Sequence, residues 1–207
     1  MPIRERLFAA IYDPLSARTE EKFGAELKRK LLANAGGRVL EIGVGTGLSL
    51  PHYPADVDEI VGVDPAAPML RRARRRAADL GRDVTFSQAP GESLPFPDDS
   101  FDTVVTLAVL CSVDDQGRAL AEIRRVLRPG GRFVFLEHVR SDDRSLARKQ
   151  DRYERPWGWF TCGCHPNRDT LNAIRDAGFD VVEVEREERR ELPRLVRPHV
   201  AGWAIRR

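Results

Sequence analysis

The chain has 207 residues, 42 % hydrophobic and 32 % charged, with 34 basic against 32 acidic side chains. That size suits one domain with a sizeable core, the composition excludes intrinsic disorder, and no stretch approaches the roughly 20 apolar residues that span a bilayer. A net charge of +2 gives no general attraction to nucleic acid or an acidic membrane, and cysteines without a CxxC pair argue against a disulfide scaffold.

Residues 1–35 read as one or two helices broken at Asp13-Pro14, an N-terminal helical lid stopped by Gly36-Gly37. The opening residues show no apolar run with a cleavage site, so a secretory signal is not expected. Arg38–Ile42 is a short strand that runs straight into Gly43-Val44-Gly45-Thr46-Gly47. Glu59–Val63 is a second strand, Pro65–Leu80 a helix closed by Gly81, Val84–Ser87 a third strand and Phe101–Leu107 a fourth. The arginine run 71–76 alternates with Met69, Leu70, Ala73, Ala77 and Leu80 on one helical face, and no aromatics are interleaved for base stacking. It reads as a solvated outer face rather than a nucleic-acid patch. A helix over Gly117–Leu127 leads to the apolar run Phe133–Leu136, as expected of a strand covered on both faces.

Residues 142–168 are polar and aromatic, with Trp157, Trp159 and Phe160, and read as an aromatic cap insertion. Asp169–Ala177 is a helix ended by Gly178, and Val181–Glu188 and Leu195–Ile205 are strands joined too briefly for a helical crossover. That pair must be antiparallel. The expected architecture is a doubly wound, mostly parallel seven-stranded α/β sheet with helices on both faces and an antiparallel C-terminal hairpin, all one domain over 1–207.

The chemistry concentrates in Val39–Gly47 and at Asp64. Glycines in a strand-to-helix turn adopt positive φ and let a ligand approach the backbone, and free N–H groups at the helix start attract negative charge. Leu48 stands where the dinucleotide fingerprint needs its last glycine. The E-x-G-x-G-x-G spacing is that of a nucleoside-type methyl-donor site. Asp64, at the end of the second strand, can accept both hydroxyls of a ribose and can also cap the following helix.

On these residues the chain resembles the class I S-adenosylmethionine-dependent methyltransferases, from about Tyr12 to the C-terminus. Glu41, Gly43, Gly45 and Gly47 match the first motif of that family and Asp64 its ribose-binding acid. Leu94-Pro95-Phe96, Ser100-Phe101-Asp102 and Arg125–Gly131 match later landmarks. The resemblance implies a Rossmann-like fold, S-adenosyl-L-methionine as cofactor and S-adenosyl-L-homocysteine as product. It implies a cofactor site of Tyr12, Glu41, Gly43, Gly45, Gly47, Asp64, Met69 and Leu107. Where many relatives carry an adenine-reading Asp this sequence has Pro90, which passes that task to Gly91, Glu92 or a backbone group.

The stretches 110–113, 136–139 and 196–204, with Trp157, Cys164 and Arg168, resemble the methyltransferase-like thiol S-methyltransferases. Glu41–Pro54 is also similar to bacterial phosphatidylethanolamine N-methyltransferases. The expected reaction is methyl transfer to a small apolar acceptor, a thiol first. N-methylation of a phospholipid amine, or C- or O-methylation of a quinone or other small metabolite, is the alternative. A nicotinamide oxidoreductase and a non-catalytic cofactor-binding module are the readings from other classes. Leu48 and the tail hairpin oppose the former, and the aromatic segment opposes the latter.

His138 follows the fifth strand, on the carboxyl edge where open α/β sheets bind ligands, and is the candidate general base. Glu137 is placed to orient it. Cys111, Trp157, Cys164, Arg168 and His199 are expected to line the acceptor pocket. Cys162-Gly163-Cys164-His165 lacks ordinary zinc spacing, so no metal is expected there. The expected partner is a small molecule and not nucleic acid. The hydrophobic N-terminal membrane segment of the thiol relatives is not found here, which points to a cytoplasmic protein and leaves peripheral membrane contact open. The oligomeric state is not legible.

Overall fold

Side-chain alternation along the strands dictates a sheet buried on both faces. Val39 and Ile60 point to one side, and Leu40, Ile42, Val61 and Val63 to the other. The computed structural model describes residues 24–161 and 163–207. The expectations for Tyr12, Cys162 and most of the lid fall outside these.

The strands are β1 (Arg38–Ile42), β2 (Glu59–Val63), β3 (Val84–Ser87), β4 (Phe101–Leu107), β5 (Leu127–His138), β6 (Phe179–Glu188) and β7 (Pro198–Arg206). They form a seven-stranded sheet in the order β3-β2-β1-β4-β5-β7-β6. Neighbours from β3 to β5 pair in parallel, and β7 is antiparallel to both β5 and β6. The expected doubly wound sheet with an antiparallel tail is what the chain forms.

The helices are α1 (Ala25–Leu32), α2 (Ala67–Asp79), α3 (Gln116–Val126), α4 (Arg144–Phe160) and α5 (Thr170–Asp176). Leu31 and Leu32 of α1 and Leu70 and Ala77 of α2 pack with Val39, Ile60, Val105 and Val134. On the opposite face Leu120 and Ile123 of α3 and Leu171 and Ile174 of α5 pack with Leu40, Val104, Phe133 and Phe135. The arginines 71, 74 and 75 of α2 are exposed, as its amphipathic pattern requires.

Two elements depart from the sequence reading. β5 starts at Leu127, the residue where the preceding helix was expected to end, and carries Gly130-Gly131 inside it. Residues 142–168, read as an aromatic cap insertion with no helix assigned, hold the 17-residue helix α4. Asp143 caps it by accepting the Leu146 N–H, and Leu146, Ala147 and Gln150 bury one face. Pro156 lies inside it, so the aromatic end carries the signal of a helix breaker. Trp159 and Phe160 lie at that end, 60 % and 70 % exposed, and stack edge to face on each other. Among the described residues, no helix is long and apolar enough to cross a membrane.

Candidate active site

β1 and β2 deliver their carboxyl ends side by side, and the turn after β1 is bonded to β2 through Val44 N–H to Val63 O at 3.0 Å. Gly43 and Gly45 have φ of +66° and +55°, the left-handed region that glycine enters without a Cβ penalty. A Cβ on Gly43 would collide with Val109. On Gly45 the nearest atom among the described residues would be the Gly43 carbonyl at 3.9 Å. Gly43 is therefore a packing glycine, whereas Gly45 faces open space that a ligand can fill. Gly47 sits against Leu50 and Ala73 of α2.

The Asp64 carboxylate accepts the Gly45 N–H at 3.1 Å through one oxygen and the Ala66 N–H at 2.8 Å through the other. Each oxygen keeps a second acceptor position. Burial raises its pKa, and the two N–H bonds oppose that rise. The cap expected of Asp64 is a local turn onto Ala66. An open glycine cradle beside a carboxylate with spare acceptor capacity fits a nucleoside.

Met69 is partly exposed on the first turn of α2 and belongs to neither core cluster. Leu107 is partly exposed at the end of β4. Glu41 is 2 % exposed and lies beneath the turn, accepting from Ser49 Oγ at 2.8 Å and Tyr53 Oη at 2.9 Å. Burial pushes its pKa up to about 7, against the pull of those two bonds. Gly91 packs on Ile42 and Val113. Glu92 is engaged by the backbone N–H groups of Asp114 and Asp115.

The residues expected to meet the acceptor gather at the carboxyl ends of β4 and β5. Ala108, exposed and at φ +59°, turns the chain so that the N–H groups of Val109, Leu110 and Cys111 reach the fully buried Glu137 carboxylate at 3.1, 3.0 and 3.2 Å. Glu137 thus anchors this loop, and its hydrogen bonds do not go to the His138 imidazole it was expected to orient. Burial, then the nearby charge of Cys111, raises its pKa to about 8.

His138 Nδ1 stands 3.6 Å from Cys111 Sγ and 3.5 Å from Cys164 Sγ. Burial would lower the imidazole, yet the charge and hydrogen bond of Cys111 outweigh it and hold it above its ordinary value. The Cys164 thiol and the charge of His138 hold Cys111 well below the usual thiol range, and Cys164 is pushed up in turn. His199 meets the His138 ring edge to face at 4.5 Å. Its Nδ1 pairs with the Arg197 carbonyl at 2.8 Å, and burial, then the charge of His138, lowers it to about 4. Arg168 donates to the Leu110 carbonyl at 2.7 Å, and Trp157 packs on Cys111, Cys164 and Val196. The structure therefore gathers Cys111, Trp157, His138, Cys164, Arg168 and His199 into one cluster.

Sequence reasoning missed Gln150. Fully buried on α4, it accepts from Ser141 N and donates to the carbonyls of Val139, Pro166 and Leu195 at 2.8–3.2 Å. It ties the end of β5 to the segments carrying Cys164 and His199. Only its place on the apolar face of α4 could have revealed it.

Comparison with known proteins decides the family. Residues 40–135 match the family model of the methyltransferase domain. A thiol S-methyltransferase of Homo sapiens is 34 % identical over 95 % of this chain and 84 % of its own length. The chain belongs to the S-adenosylmethionine-dependent methyltransferases. A phosphatidylethanolamine N-methyltransferase of Cereibacter sphaeroides is 40 % identical over 72 % of each chain. A demethylmenaquinone methyltransferase of Thermus thermophilus is 42 % identical over 56 % of each. Among solved structures, a SAM-dependent methyltransferase from Thermotoga maritima superposes with a TM-score of 0.72 over 100 % of both chains, at 26 % identity. This methyltransferase thus uses S-adenosylmethionine as its donor, in keeping with the open cradle at Gly45.

Proposed function

We propose that this methyltransferase methylates the sulfur of a small, apolar thiol. The observation that carries the reading is the Cys111–His138–Cys164 cluster beside the donor turn. Val109, two residues before Cys111, is the side chain that a Cβ on Gly43 would strike, so the two half-sites adjoin. Gly43, Gly45, Gly47, Asp64, Met69 and Leu107 would hold the cofactor, with Asp64 on the ribose hydroxyls. Bound S-adenosylmethionine supplies a methyl group already activated on a sulfonium centre.

The protein's own work is alignment and ionisation. The thiolate is the nucleophile, and a free thiol ionises only near pH 8.5. His138 would take that proton, and its surroundings of sulfur and Trp157 suit an uncharged, soft acceptor. Glu137, the carboxylate nearest this cluster among the described residues, is committed to the loop N–H groups and not to an acceptor amine. The similarity to thiol S-methyltransferases over most of the chain supports the same choice. The phosphatidylethanolamine relative favours a second reading, N-methylation of a phospholipid amine.

A panel of a small alkyl thiol, a phosphatidylethanolamine vesicle and a demethylated quinone, each offered with methyl-labelled donor, tests the proposal. Label in a thioether is the expected result. Label in lipid or quinone with none in the thioether would replace it.

A further inference from the structure

Cys111, His138 and Cys164 come from three separate segments: the loop after β4, the end of β5 and the loop after α4. Their donor atoms nevertheless all lie within 4.8 Å of one another. Tetrahedral bonds of about 2.3 Å to sulfur and about 2.0–2.1 Å to nitrogen set S and N about 3.5–3.6 Å apart. The two Nδ1–Sγ distances are 3.5 and 3.6 Å. The imidazole nitrogen thus already stands at tetrahedral spacing from both sulfurs.

The surroundings are built to keep them there. Glu137 pins the Cys111 loop by three N–H bonds. The His165 N–H donates to the Cys111 carbonyl at 2.7 Å, which joins the loops bearing the two sulfurs. Such supporting bonds are what orient ligands in metal sites. Cys111 and Cys164 are buried, and His138 is partly exposed as a residue.

We propose that Cys111, His138 and Cys164 form a three-ligand site for a thiophilic divalent cation, Zn²⁺, whose fourth position receives the sulfur of the methyl acceptor. Two thiolates and one imidazole are soft donors that select such an ion, and three protein ligands with an open fourth position is the arrangement of a reactive rather than a structural zinc. Two thiolates balance the ion's charge. On acceptor binding the S–H bond breaks, its proton passes to solvent, and the sulfur keeps the electron pair with which it binds the cation. His138 is then a ligand, and it takes the acceptor's proton only when the cation is absent. The occupant of the fourth position rests on the thiol reading. The cation site does not.

The test is metal analysis of protein purified with and without added zinc under reducing conditions, followed by cobalt substitution. One ion per chain, lost in Cys111→Ala and Cys164→Ser variants that still bind donor, is expected. The cobalt form should show intense visible bands of tetrahedral thiolate coordination that shift when a small alkyl thiol is added. Substoichiometric metal with titratable free thiols, or a Cys111–Cys164 disulfide in the freshly purified protein, would overturn the site. Cobalt bands that ignore a thiol the enzyme methylates would overturn the open position and leave the function standing. Bands that shift with thiol, without thioether product, would sink the function and leave the site.

Discussion

Asp64 and Gly45 are joined by a hydrogen bond of 3.1 Å from the Gly45 N–H to Oδ2. The acid at the end of β2 therefore shapes the glycine turn after β1 and keeps acceptor capacity facing the same space. Asp64→Ala should weaken S-adenosylmethionine binding by roughly 1.5–3 kcal/mol, the range for hydrogen bonds to a charged group. Titration calorimetry with donor and with S-adenosylhomocysteine measures it. Unchanged affinity would place the ribose elsewhere.

The glycines of the turn should separate in their phenotypes. Gly45→Val fills open space, so donor binding should vanish while the far-UV circular dichroism stays native. The left-handed backbone should cost about 1–2 kcal/mol of stability. Gly43→Ala strikes Val109 and should lower the melting temperature as well as donor affinity. Normal binding by the Gly45 variant would make the turn purely structural.

Glu41 gives a stability signature in pH. Its folded pKa of about 7 lies above the ordinary 4.5, so the folded chain holds a proton that the unfolded chain has released between those values. Stability from this group is full below about pH 4.5 and lost as pH rises through about 7. Ser49 and Tyr53 bond the carboxylate, and Lys28 is the cation acting on it. Glu41→Gln keeps an acceptor and removes the titration. Relative to wild type it should gain about 2.5 kcal/mol between pH 5 and pH 8, by the conversion of about 1.4 kcal/mol per pKa unit. Urea unfolding at several pH values reads this directly, and parallel curves would refute it.

Gln150→Leu leaves the Ser141 N–H and three carbonyls without this partner. Each buried polar group left unpaired costs about 1–3 kcal/mol, so a loss of about 3 kcal/mol or more is expected. Chemical denaturation checks it. Amide exchange should also quicken at Ser141, which marks the segment behind His138.

The candidate donor half of the site can be proposed from sequence because it is local. Strand, glycine turn and Asp64 lie within one short stretch, and residue type alone carries the message. The alternating core of β1, β2, β4 and β5 was legible for the same reason. The acceptor half is assembled across the chain, and its partnerships are not in any spacing. Cys162-Gly163-Cys164-His165 drew attention as a local run, whereas Cys164 meets Cys111 and His138. Glu137 looked like a partner for the next residue, but successive strand residues face opposite ways and its carboxylate turns to the 109–111 loop. Helix α4 was hidden by Pro156 and its aromatic end, although Asp143 and the spacing of Leu146, Ala147 and Gln150 carry a cap and a buried face.

The most direct measurement of the central claim is methyl transfer from labelled donor to a small alkyl thiol, wild type against His138→Ala, with product identified by mass spectrometry. Thioether should form with wild type and fall by on the order of 10²–10⁴ in the variant, with donor affinity unchanged. Label entering a phospholipid amine, with no thioether from either protein, would contradict the account.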